Sequence, residues 1–132
     1  MANILIVDDE VEVGEVVRRV LERAGYAVTV AHNAAAGLNA VAQQPPDVVI
    51  TDIIMPRVHG VELIKTLRER YPRIRVIAIS GGGSFGPLAY KPDAISTHAY
   101  LAAAREAGAD EILTKPFDLT DLLAAVRRLL PN

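Results

Sequence analysis

Asn3-Ile4-Leu5-Ile6-Val7 runs without a break into Asp8-Asp9-Glu10, a short apolar strand that stops abruptly on acids. From Val11 to Ala24 the period changes to that of a helix, and Val13, Val16, Val17, Val20 and Leu21 are predicted to share its buried face. Gly25 ends that helix, since glycine enters the left-handed region without steric cost. A strand finished by polar residues and followed at once by a helix is the unit from which parallel sheets are built.

The same unit recurs along the chain. Tyr26 to Ala31 reads as the second strand, and Asn33 as the N-cap of an Ala-rich helix reaching Gln43, stopped by Pro45-Pro46. Asp47 to Thr51 is the third strand, and Gly60 to Tyr71 a helix with Val61, Ile64 and Leu67 inward. Ile74 to Ile79 is the fourth strand, a helix spans Ser96 to Ala107 and ends at Gly108, and Asp110 to Thr114 is the fifth strand. Asp118 caps a last helix over Leu119 to Leu130, with Asp121 favourable to its dipole. Five strands alternating with five helices imply one α/β domain over residues 1–132, its parallel sheet covered on both faces. The strands agree, being continuous apolar runs rather than alternating ones. Residues 80–92 break the rhythm: Gly81, Gly82, Gly83, Gly86, Pro87 and Pro92 make an extended Gly/Pro-rich connection between the fourth strand and fourth helix. It is longer than such connections usually are.

Composition narrows the function. Hydrophobic residues make up 51% of the chain and charged ones 23%, enough for one core. A net charge of −2 leaves no basic face of the kind nucleic acid demands, and the arginines are read as solvated helix faces and strand flanks. There is no cysteine, hence neither disulfide nor thiolate metal site. No apolar run approaches a membrane span and no secretory signal opens the chain, so the expectation is a cytoplasmic protein without membrane contact. His32, His59 and His98 lack metal-ligand spacing; His32 and His98 are read as surface or cap residues, and His59 lies in the loop after Asp52.

Each strand end carries a polar residue that a core would not select: Asp8 and Asp9, Asp52, Ser80 and Lys115. In a parallel sheet these points fall on one edge, the carboxyl edge, where ligands of open α/β sheets bind. Carboxylates crowded together repel unless a cation compensates. Oxygen donors without His or Cys point to a hard ion, Mg²⁺ by preference, which favours phosphate partners. A carboxylate can attack phosphorus, and Lys115 would help to neutralise the charge on a transferred group.

Over essentially its whole length the chain resembles the receiver domains of two-component signalling. The matching motifs are Ile4-Leu5-Ile6-Val7-Asp8-Asp9-Glu10, Thr51-Asp52-Ile53-Ile54-Met55-Pro56 with Gly60, Ile79-Ser80-Gly81, and Lys115-Pro116-Phe117. The resemblance implies a flavodoxin-like doubly wound five-stranded parallel sheet of order 2-1-3-4-5 with five helices. It implies that Asp52 accepts a phosphoryl group from a histidine kinase or histidine phosphotransfer protein. Asp9, Asp52 and the backbone carbonyl of Ile54 would ligate Mg²⁺, with Asp8 holding a metal-bound water. Ser80 and Lys115 would engage phosphoryl oxygens, Lys115-Pro116 would be a cis peptide, and Gly81 would leave room for the phosphate.

Such a module is not an enzyme in the usual sense, but an acceptor that assists its own phosphorylation and dephosphorylation. It would switch a face for an unnamed downstream protein, as a monomer or a phosphorylation-dependent dimer, with no output domain in this chain. Two departures bear on that readout. Ile112 stands three residues before Lys115, where many receivers carry Tyr or Phe, and residues 80–92 are extended. A Mg²⁺-dependent phosphohydrolase is the rival enzymatic reading, disfavoured by the absence of a second acid placed for acid–base work. A phosphate-independent binding module is disfavoured by the completeness of Asp8, Asp9, Asp52, Ser80 and Lys115.

Overall fold

The alternating pattern folds as its periods dictate. In the computed structural model, which describes residues 2–53, 60–80, 102–114 and 118–130, the strands are β1 (Asn3–Val7), β2 (Ala27–Ala31), β3 (Val48–Asp52), β4 (Arg75–Ser80) and β5 (Glu111–Thr114). The helices are α1 (Val11–Arg23), α2 (Ala34–Gln43), α3 (Gly60–Arg70), a helical run α4 over 102–107, and α5 (Leu119–Leu129). All strand pairs are parallel, in the order β2-β1-β3-β4-β5.

Side-chain alternation along the strands divides the core into two halves. Leu5, Val7, Val49, Val76 and Ala78 pack with α2, α3 and α4 through Val41, Ile64, Leu67 and Ala104. Ile4, Ile6, Val48, Ile50, Ile77 and Ile79 pack on the other face with Val17 and Leu21 of α1 and Leu122 and Val126 of α5. Every residue of β3 is buried, whereas β2 and β5 are the sheet's edges and are only partly covered. A strand buried on both faces is mostly apolar, which is why β1, β3 and β4 were readable from composition.

Local signals also behave as expected. Gly25 and Gly108 have φ of 102° and 116° after their helices, and the Asn33 side chain accepts from the Ala36 amide at 2.7 Å. At α5 the Asp121 carboxylate accepts from the Asp118 amide at 3.3 Å. Strand limits move by a residue where hydrogen bonding, not hydrophobicity, decides. Asp52 stays in the ladder opposite Ile79 although its side chain is polar. The Tyr26 amide bonds back to Leu21 of α1 and is lost to β2.

Two expectations are corrected. Val16 is 52% exposed instead of buried. Gly14 lets α1 lean onto β2, where a Cβ would already stand 3.0 Å from Val30. The inward line becomes Gly14, Val17 and Leu21, which turns Val16 toward solvent at about 100° per residue. Arg68 is no solvated charge either. Its guanidinium donates to the carbonyls of Pro72, Ile74 and Gly108 and to Asp110 Oδ2, at 3.0, 3.2, 2.6 and 2.8 Å. Asp110 Oδ2 also accepts from the Val76 amide at 2.8 Å, so one ion pair fastens α3, β4 and the turn into β5. The extended segment after Ser80, the Ser96 start of the fourth helix, His59 and His98 lie outside the described residues.

Candidate functional site

Register brings the acids together. Val7 pairs with Thr51 across β1 and β3, so the next step along both strands sets Asp8 beside Asp52 at the carboxyl edge. Carboxylate oxygens of Asp8, Asp9 and Asp52 all lie within 4.8 Å of one another. Asp8 and Asp52 are 4% and 3% exposed, while Asp9 faces solvent. Buried carboxylates at such spacing need positive charge or donors nearby to remain ionised. An oxygen-only set of this kind fits a hard divalent cation, and its open side at Asp9 leaves an approach from solvent.

The surrounding backbone holds the acids in place. Asp8 donates its amide to the Ala31 carbonyl at 3.0 Å, and its Oδ1 accepts the Glu10 amide at 2.9 Å, which sets the entry into α1. Beneath Asp52, the buried Thr51 hydroxyl donates to the Asp52 carbonyl at 3.0 Å. The Ile53 amide reaches Ile79 at 3.0 Å and the Ile53 carbonyl accepts from Gly60 at 3.2 Å. These bonds tie β3 to β4 on one side and to the start of α3 on the other.

Gly60 reads from the sequence as a helix start and part of a motif, and the structure supplies the reason for a glycine there. A Cβ at that position would lie 2.3 Å from the Asp52 carbonyl oxygen and 2.6 Å from Ile53 Cα. The first turn of α3 therefore rests directly on the backbone that presents Asp52. His32 was read as a surface residue; it is exposed, but its ring Nδ1 lies 3.3 Å from the Asp8 carbonyl oxygen. A histidine one residue past a strand at the carboxyl edge was the available signal.

Of the remaining sequence candidates, Ser80 is the last residue of β4, paired with Thr114. Ile112 pairs with Ala78 and packs, partly buried, on the α2–α3–α4 half of the core. Ile54, Gly81, Lys115 and Pro116 lie outside the described residues. Among the described residues no helix is long and apolar enough to cross a membrane.

The sheet is flavodoxin-like with an acid triad at its carboxyl edge, and comparison gives the family. The response regulator receiver domain model matches residues 4–127, and the chain belongs to that family. It is 35% identical over 128 residues to response regulator MprA of Mycobacterium avium, covering 97% of this chain and 50% of that protein. The chain thus spans about half the length of the curated relatives it matches. Chemotaxis protein CheY4 of Vibrio cholerae superposes with a TM-score of 0.81 at 27% identity, over 98% of this chain and 99% of that one. NtrX from Brucella abortus, solved in complex with ADP, gives 0.82 at 28% identity, over 98% of this chain and 27% of that one. Receiver domains are signalling modules rather than metabolic enzymes, and phosphorylation by histidine kinases is general behaviour of the family.

Proposed function

We propose that residues 1–132 act as one phospho-accepting receiver unit of a two-component or phosphorelay system, with Asp52 as the acceptor. The observation that carries the reading is the burial of the Asp52 carboxylate at the sheet edge, within 4.8 Å of Asp8 and Asp9. A carboxylate oxygen of Asp52 attacks the phosphorus of a phosphohistidine donor. The new O–P bond forms as the N–P bond breaks, and the imidazole leaves with the electron pair and takes up a proton. The in-line approach asks only that Asp52 be held still, and the Thr51, Ile79 and Gly60 contacts to its strand serve that end.

Asp9, Asp52 and the Ile54 carbonyl would hold Mg²⁺ with Asp8 behind a bound water, and the ion would offset the charge of the acids and the incoming phosphoryl group. Lys115 pairs with one phosphoryl oxygen and Ser80 donates to another, with Gly81 leaving space and Lys115-Pro116 as a cis peptide. Ile112 has no aromatic ring to rotate, so the signal passes through backbone movement or another side chain toward an unidentified partner protein. The proposed setting is cytoplasmic, with a histidine kinase or histidine phosphotransfer protein upstream and no nucleic acid bound by this unit.

Incubation with a small acyl phosphate and Mg²⁺, followed by intact-mass measurement, tests the reading. One phosphoryl group is expected per wild-type chain, none in Asp52→Asn, and none after chelation of Mg²⁺. Labelling that persists in Asp52→Asn at the wild-type rate would overturn it.

A further inference from the structure

The β1–β2 ladder ends one rung early, and a side chain takes the place of the missing rung. In this parallel register Ala27 donates to Ala2 and, at the far end, Asp8 donates to Ala31 at 3.0 Å. The next rung would run from the Asn33 amide to the Asp8 carbonyl. Among the described residues that bond is not formed, and the Asn33 side chain caps α2, accepting from the Ala36 amide. The His32 ring nitrogen Nδ1 lies 3.3 Å from that same Asp8 carbonyl. A carbonyl can only accept, so the ring is the donor and Nδ1 carries the hydrogen. The Asp8 amide and the Asp8 carbonyl are therefore held by consecutive residues at the end of β2.

The Asp8 carbonyl belongs to the peptide that carries Asp9, the exposed member of the acid triad. We infer that His32 is a positioning residue for the cation site, its Nδ1–H fixing the Asp8–Asp9 peptide so that the Asp9 carboxylate faces Asp8 and Asp52. The inference rests on the proposed Mg²⁺-dependent reading of that site. Partners that orient metal ligands commonly influence affinity by about 10–100-fold, and a bond to the ligand's backbone belongs at the lower end of that range.

Geometry supplies a sharp test. Asn places an amide nitrogen at the same distance from Cβ as His Nδ1, whereas Gln places it one bond further out. Mg²⁺ binding is measured by calorimetry on the full chain for wild type, His32→Ala, His32→Asn and His32→Gln, together with the melting temperature without Mg²⁺. His32→Ala and His32→Gln are expected to weaken Mg²⁺ binding about 10-fold, and His32→Asn to stay within twofold of wild type, while melting temperatures change little. Acyl-phosphate labelling at saturating Mg²⁺ should recover in His32→Ala. Equal Mg²⁺ affinity in wild type and His32→Ala, or failure of His32→Asn to rescue, overturns the positioning role and leaves the Asp52 reading intact. Absence of Mg²⁺ binding by the wild type overturns both.

Discussion

Replacing Gly60 with alanine should harm this protein even though glycine to alanine within a helix ordinarily gains about 1 kcal/mol. The new methyl group would stand 2.3 Å from the Asp52 carbonyl oxygen and 2.6 Å from Ile53 Cα, both backbone atoms that cannot rotate aside. Ordinary contact begins at 3.4 Å, so α3 and the Asp52–Ile53 peptide must part by about 1 Å, an overpacking strain of about 1–3 kcal/mol. Gly60 is the first residue of α3, where the propensity gain is smallest, so the strain prevails. For a domain of this size about 2 kcal/mol lowers the melting temperature by roughly 6–8 °C. A displacement of about 1 Å at Asp52, the proposed nucleophile, should also slow phosphorylation by about 10–100-fold. Gly37→Ala is the control: its Cβ would meet the Val7 side chain at 3.0 Å, which can give way without moving the backbone. Thermal unfolding by circular dichroism and acyl-phosphate labelling, run on both variants, measure the two effects. A Gly60→Ala protein with wild-type melting temperature and labelling rate would refute the reasoning.

Asp9→Asn removes one charge from the acid triad, so it should leave the Mg²⁺-free protein as stable as wild type or more so, and abolish the rise in melting temperature that Mg²⁺ gives the wild type. Arg68→Leu strips the donor from three carbonyls and from the Asp110 carboxylate; chemical denaturation should register a loss of about 2–3 kcal/mol. Asp110→Asn, which keeps an acceptor for the Val76 amide, should lose less. On α1 the Glu15 carboxyl is held below its ordinary 4.5 by the hydrogen bond from Arg18. Its stabilising contribution is thus present above pH 4.5 and fades as pH falls through the lowered value. Wild type and Glu15→Gln should therefore converge in melting temperature in acid, and because the pair is a solvent-screened surface pair their difference at neutral pH should be small.

Much of this architecture was legible because a doubly covered parallel sheet leaves little choice of residue. Runs such as Ile4–Val7 and Val48–Ile50 can be nothing but interior strands, and acids at their C-terminal ends sit on the carboxyl edge. Pattern fails where a contact is decided by another part of the chain. Val16 has the hydrophobicity of a core residue, but the direction in which α1 leans was set by Gly14 against Val30. Arg68 and Asp110 look like surface charges until α3 delivers the guanidinium to the turn before β5. His32 carries no motif, since its partner is a backbone oxygen common to every sequence. Asp8, Asp9 and Asp52, by contrast, were found because carboxylates repeated at strand ends have no packing explanation.

The strand order has a consequence for where the molecule yields. Amides of β1 and β3, flanked by strands on both sides and buried beneath helices, should exchange with solvent only through global unfolding. Those of β5, an edge with partly exposed residues, should exchange through small local openings. The acid triad sits on the unyielding strands, and Ile112 lies two strands away on the compliant one. A strain passed outward from the centre would find its largest displacement at that margin.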